Sequence, residues 1–194
     1  CPMCSFYVEV VKDRSFSKKY TDALIREFDT YANAFDFTNK KLKSIYFGGG
    51  TASLLNPEDI ERLLQSITNI IPHNMSAEIT IENHPCIATK EYLKSLKSIG
   101  INRVSFGIQS FDDNDLKILK LKQREKQNEY ILQTALDIGF DTVAADLIYA
   151  IPNQTIEGFM NNVGRLVDMG ISTISLYSMG LSERQEELYV LLPE

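Results

Sequence analysis

The stretch Gly100-Ile101-Asn102-Arg103-Val104-Ser105-Phe106-Gly107-Ile108-Gln109-Ser110-Phe111 decides the fold. Gly100 closes the helical pattern of Thr89–Ile99, at the position where a helix end favours a left-handed residue. Arg103–Gln109 then alternates as a strand does. Val104, Phe106 and Ile108 share one face, while Ser105, Gly107 and Gln109 share the other. The apolar face is expected to meet helices. The small and polar face is expected to look inward.

The same unit recurs along the chain. Lys43–Phe47 is a strand that runs into Gly48-Gly49-Gly50. Ala77–Glu82 runs into Asn83, His84 and Pro85, Thr142–Tyr149 stops at Pro152, and Thr173–Tyr177 completes the set. Helical periodicity fills Lys18–Phe35, Pro57–Ile70, Gln127–Ile138 and Ile156–Met169. Asn56 is the expected N-cap before Pro57, and Gly139 and Gly170 are the expected stops. Strand centres lie about thirty residues apart, the size of a βαβ unit. Such units give parallel strands with right-handed crossovers. The expected class is α/β, as a partial parallel (β/α) barrel, with an open doubly wound sheet as second choice. Both folds gather sites at the carboxyl ends of the strands.

Composition narrows the function classes. The 194 residues are 44% apolar and 24% charged, which suits one globular domain. A net charge of −6 argues against a broad nucleic-acid surface. The basic cluster Lys117, Lys120, Lys122, Arg124 and Lys126 reads as a solvated helix-to-helix connection. No run is long and apolar enough to span a membrane. Three cysteines, an odd count, do not suggest a disulfide-stapled secreted domain, and a cytoplasmic setting is expected. His73 and His84 are too few and too scattered for a zinc–histidine site. The chain opens on Cys1 without an initiator Met, and a true N-terminus upstream is expected.

Strand parity selects the candidate residues. Glu82 aligns with Thr80, Gln109 with Ser105 and Gly107, and Asp146 with Ala144. Each alone could belong to a structural network, because an inward acid must be paired or hydrogen-bonded. Three on consecutive strands favour a ligand cavity. Gly48-Gly49-Gly50-Thr51 matches neither a Walker loop nor a dinucleotide fingerprint. It is either an ordinary turn or a loop whose exposed backbone holds an amino-acid-like ligand. Cys1-Pro2-Met3-Cys4 fits zinc, thiol–disulfide exchange or an iron–sulfur cluster.

Taken together these segments resemble the radical S-adenosylmethionine (SAM) superfamily, and within it the oxygen-independent coproporphyrinogen III oxidase-like family. Cys1 and Cys4 match the last two cysteines of its Cys-x-x-x-Cys-x-x-Cys motif, so the first would lie before Cys1. Phe47–Thr51 resembles the glycine motif that holds the SAM amino group. Ile81–Pro85 resembles the segment whose Glu binds SAM. Gly107–Phe111 and Asp146–Pro152 resemble Gly-Val/Ile-Gln-Ser-Phe and Asp-Leu-Ile-Tyr-Gly-Leu-Pro. Order and spacing agree over nearly the whole chain.

The resemblance implies a radical SAM barrel lacking its first strand and C-terminal part, with residues 1–194 as a core that begins inside the cluster-binding loop. It implies a 4Fe–4S cluster on Cys1 and Cys4, and SAM on Gly49, Gly50, Thr51, Glu82, Gln109, Asp146 and Ile148. It implies reductive cleavage of SAM to a 5′-deoxyadenosyl radical that acts on an organic substrate, with tetrapyrroles among the candidates. Flavodoxin or ferredoxin is the implied electron donor, and nucleic acid is not an expected partner. A heme-binding or heme-delivery protein without oxidase activity is the alternative within the family.

Three positions depart from the family pattern. Met3 replaces a usual aromatic residue. Leu121 stands where an Arg often binds the SAM carboxylate, with Arg124 the nearby alternative. Phe6 replaces a Cys characteristic of true coproporphyrinogen oxidases and argues against that reaction. Tyr177 either faces substrate or packs in the core. Cys86 is read as an incidental thiol and His84 as a turn residue.

Overall fold

The computed structural model describes residues 9–11, 13–37 and 39–180. Cys1, Met3, Cys4 and Phe6 lie outside them. Five strands form one parallel sheet in the order β1-β2-β3-β4-β5. They are β1 (Leu42–Phe47), β2 (His73–Asn83), β3 (Arg103–Gln109), β4 (Thr142–Tyr149) and β5 (Thr173–Ser178). The helices are α1 (Ser17–Ala34), α2 (Pro57–Ile70), α3 (Lys90–Ser98), α4 (Asp113–Ile118), α5 (Glu125–Ile138) and α6 (Ile156–Asp168). Among the described residues no helix is long and apolar enough to cross a membrane.

Strictly sequential strand order decides between the two expected architectures. When right-handed crossovers always step in one direction, every helix falls on the same face of the sheet. One apolar cluster accordingly joins Ile79 and Ile81 of β2, Val104, Phe106 and Ile108 of β3, and Val143, Ala145 and Leu147 of β4. Leu63 and Leu64 of α2, Leu93 and Leu96 of α3, Ile131 and Leu132 of α5, and Leu166 of α6 complete it. A doubly wound sheet would split its helices between two faces. The chain forms a half-barrel, and its other face is concave and polar.

Helix ends follow local chemistry. α3 closes with the Gly100 N–H on the Lys97 carbonyl and the Ile101 N–H on the Leu96 carbonyl, while Gly100 sits at φ +97°. This pairing satisfies carbonyls the helix would otherwise leave open. Asn56 does occupy the N-cap of α2, but its side chain makes no capping bond. Its backbone N–H instead donates to Ser17 Oγ, whose hydroxyl donates to Asp59, so α1 and α2 are tied there. Arg62 bridges Asp59 and Asp22 across the same pair of helices.

Candidate functional site

All five strands point their carboxyl ends to one edge, so the loops after them share one rim. β1 delivers Gly48–Thr51. A short 3-10 turn, Ala52–Leu54, follows, and its buried Ser53 accepts a hydrogen bond from the His84 N–H at 3.2 Å. The glycine loop is thereby fastened to the end of β2.

Parity on the concave face is as the strand alternation predicts. The carboxylate of Glu82, one residue before the end of β2, accepts a hydrogen bond from the Tyr46 hydroxyl at 2.8 Å. Burial first, and then this bond, push the Tyr46 phenol up to about 12, so it stays a donor at neutral pH. A Cβ on Gly48 would lie 2.7 Å from the Tyr46 ring and 3.2 Å from the Glu82 carboxylate. Glycine there lets the loop and the acid share one small space.

Asp146 lies beside Gly107 of β3 and Ser175 of β5 in the sheet register. Burial raises its carboxyl pKa, and the Glu82 charge adds to the rise. Hydroxyls of Ser175 and Ser105 and the Arg103 guanidinium oppose it. Gln109 ends β3 in the left-handed region, φ +69°, and its amide folds back so that Nε2 lies 2.7 Å from where a Gly107 Cβ would sit. Ile148, buried on the same face, meets Leu119, Leu121, Ile151 and Met179 in a small apolar cluster on the rim.

Glu82, Gln109, Asp146 and Ile148 therefore do converge on the concave face, with Gly49, Gly50 and Thr51 on the adjoining loop. Cys1 and Cys4 fall outside the described residues. Leu121 is packed into the apolar rim, and Arg124 is tied to its own loop. Its guanidinium donates to the carbonyls of Leu121 at 3.1 Å and Gln123 at 2.7 Å. Tyr177 is half exposed and does not pack in the core. His84 is indeed a turn residue, made neutral-favouring by burial. Burial raises the Cys86 thiol pKa, which disfavours the reactive thiolate. Two further residues contribute: Tyr46, and Arg103, whose guanidinium reaches Thr80 Oγ1 at 3.4 Å. Parity alone places both on the concave face, Tyr46 two residues before Gly48 and Arg103 two before Ser105.

Two carboxylates, a carboxamide, a bare glycine loop and an apolar rim thus line one concave face at the strand carboxyl ends. The family model of the radical SAM superfamily matches residues 1–188. A heme chaperone HemW of Lactococcus lactis is 32% identical over 183 residues, 94% of this chain and 46% of the relative. An oxygen-independent coproporphyrinogen III oxidase of Helicobacter pylori is 29% identical over 179 residues, 92% of this chain and 39% of the relative. The structure of the Escherichia coli coproporphyrinogen III oxidase is similar at a TM-score of 0.85 and 27% identity, covering 100% of this chain and 44% of that one. The chain thus spans less than half the length of these relatives.

Proposed function

The chain belongs to the radical SAM superfamily, and from that premise we propose that residues 1–194 are one SAM-binding core whose cluster loop includes Cys1 and Cys4. The observation that carries this reading is that Glu82 at the Gly48 slot, Gln109 over Gly107 and Asp146 share one concave face at the strand carboxyl ends. SAM presents a sulfonium, an ammonium, a ribose diol and a purine. Two carboxylates suit the cationic and hydroxyl groups. The carboxamide of Gln109 and the backbone of Gly49, Gly50 and Thr51 offer neutral hydrogen bonds, and Ile148 offers the purine an apolar wall. The donor set therefore fits SAM; the cluster ligands lie outside the described residues.

When bound, a 4Fe–4S cluster and SAM together supply reductive cleavage to methionine and a 5′-deoxyadenosyl radical, which takes hydrogen from an organic substrate. The chain's own residues orient and desolvate. Tyr46 fixes one oxygen of Glu82, leaving the carboxylate aimed in a single direction. Asp146 resists ionisation because it is buried, and an arriving cation favours its ionised form. A cytoplasmic setting and a flavodoxin or ferredoxin donor accompany this reading. A tetrapyrrole is the substrate class favoured by the names of the relatives, and Phe6 argues against coproporphyrinogen itself.

A second reading, heme delivery, is supported by the chaperone relative at 32% identity. Both readings share the SAM site and differ in turnover. The test uses full-length protein, reconstituted anaerobically with iron and sulfide, given SAM and a strong reductant, and titrated separately with hemin. A catalyst forms 5′-deoxyadenosine and acts on substrate. A delivery protein binds one heme tightly and turns over no tetrapyrrole. A protein that binds neither SAM nor heme contradicts both.

A further inference from the structure

β3 breaks its regular geometry where it reaches the site. Its register against β4 slips between Gly107 and Gln109. Gln109, at φ +69°, is the centre of a three-residue turn in which the Ser110 N–H donates to the Ile108 carbonyl at 2.8 Å. A turn of this form with a positive central φ is rare and strained for a residue bearing a Cβ. Something must hold it.

Two buried side chains do. Gln123, from the connection between α4 and α5, donates through Nε2 to the carbonyls of Gly107 at 2.8 Å and Ile108 at 2.9 Å. Asn128, on α5, donates through Nδ2 to the carbonyls of Ile108 at 3.1 Å and Ser110 at 3.0 Å. Gln123 is 1% exposed and Asn128 is fully buried. The oxygens of both amides have no partner among the described residues. Each amide is thus oriented wholly by the two carbonyls it serves. On the far side, Ser110 Oγ donates to Asp115 at 2.7 Å and accepts from Asn162 at 3.0 Å.

We infer that Gln123 and Asn128 are positioning residues for Gln109, clamping the tight turn that lays its carboxamide over Gly107 on the concave face. The inference rests on the reading of that face as a SAM site, because only there does Gln109 meet a ligand. It assigns a function to a connection that the sequence presents as a solvated basic linker.

The test is a double-mutant cycle on the reconstituted full-length protein, read by SAM affinity in calorimetry. Gln123→Met and Asn128→Leu are each made alone and in a Gln109→Ala background, with thermal melts on all variants. Each single variant is expected to weaken SAM by about tenfold, and to cost less than about twofold once Gln109 is gone. Equal losses in both backgrounds would show that the amides act on general structure, and would overturn the inference. A crystal structure of the Gln123→Met protein reads the clamp without ligand. Gln109 leaving the left-handed region supports the inference, and Gln109 unmoved overturns it. Absence of SAM binding in the unsubstituted protein defeats the SAM reading, and the crystal structure then decides the clamp alone.

Discussion

Asp146 is a carboxyl group held against its own charge. Burial raises its pKa, with Glu82 adding to the effect and Arg103, Ser175 and Ser105 relieving it. A folded-state pKa above the unfolded value gives stability that is present in acid and is lost as pH rises through the folded pKa. Removing the charge therefore helps the folded state only where Asp146 would be ionised. Asp146→Asn is expected to raise the melting temperature at pH 7, with the gain vanishing below the ordinary carboxylate range. Paired melts across pH read this. A gain that persists unchanged in acid would place the effect elsewhere. The same variant is expected to lose SAM affinity.

Gly48 makes the complementary case. Its missing Cβ leaves room for the Tyr46 ring, which is a movable side chain and not backbone. Gly48→Ala is expected to displace Tyr46 from Glu82 and weaken SAM binding, while changing stability by no more than about 1 kcal/mol. Equal affinities in the two proteins would remove Tyr46 from the account. At this scale, period-two alternation was enough to place Glu82, Gln109 and Asp146 on one face. The turn at Gln109 was not legible, because it depends on amides arriving from Gln123 and Asn128, fourteen and nineteen residues later.

At the scale of elements, three strands meet at one residue. Asn102, just before β3, accepts from the Ile79 N–H at 2.7 Å and donates to the Ala77 carbonyl at 2.8 Å. Its own carbonyl accepts from the N–H groups of Asp141 and Thr142. The side chain therefore adds two bonds to the one the backbones make there, from the Asn102 N–H to the Ile79 carbonyl at 3.1 Å. Asn102→Ala strands a donor and an acceptor, and should cost about 2 kcal/mol in denaturant unfolding. A loss below about 0.5 kcal/mol would mean that water replaces the side chain.

The strands β3 and β4 were legible to the residue, since apolar alternation bounded by turn residues marks both ends. β2 runs longer than its apolar core suggests, because His73 pairs with Leu42 across the sheet. α4 escaped notice. Its six residues are too short for a periodic signal, and its N-cap, Asp112 accepting from the Asn114 N–H, follows directly on the end of β3. The basic residues after it do form a helix-to-helix connection, as composition suggested, but Gln123 among them is buried.

On the scale of the whole molecule, sequential order leaves the helices to cover the convex face and frees the concave one for chemistry. Few residues achieve this: a Gly after α3, α5 and α6, mostly branched or aromatic residues at the outward strand positions, and mostly small or polar ones at the inward positions. The core depends on the outward set. Phe106 is fully buried among residues from neighbouring strands and helices. Phe106→Ala is expected to cost about 3–5 kcal/mol and to broaden or abolish cooperative unfolding. A well-folded variant losing under about 1 kcal/mol would contradict the packing described.

The central claim is that the concave face binds SAM through Glu82 and Asp146. Isothermal titration of SAM into anaerobically reconstituted full-length protein tests it most directly, with Glu82→Gln and Asp146→Asn measured alongside. The account predicts one SAM per chain and a loss of at least about tenfold in each variant. No SAM binding, or equal affinity in all three proteins, would contradict it.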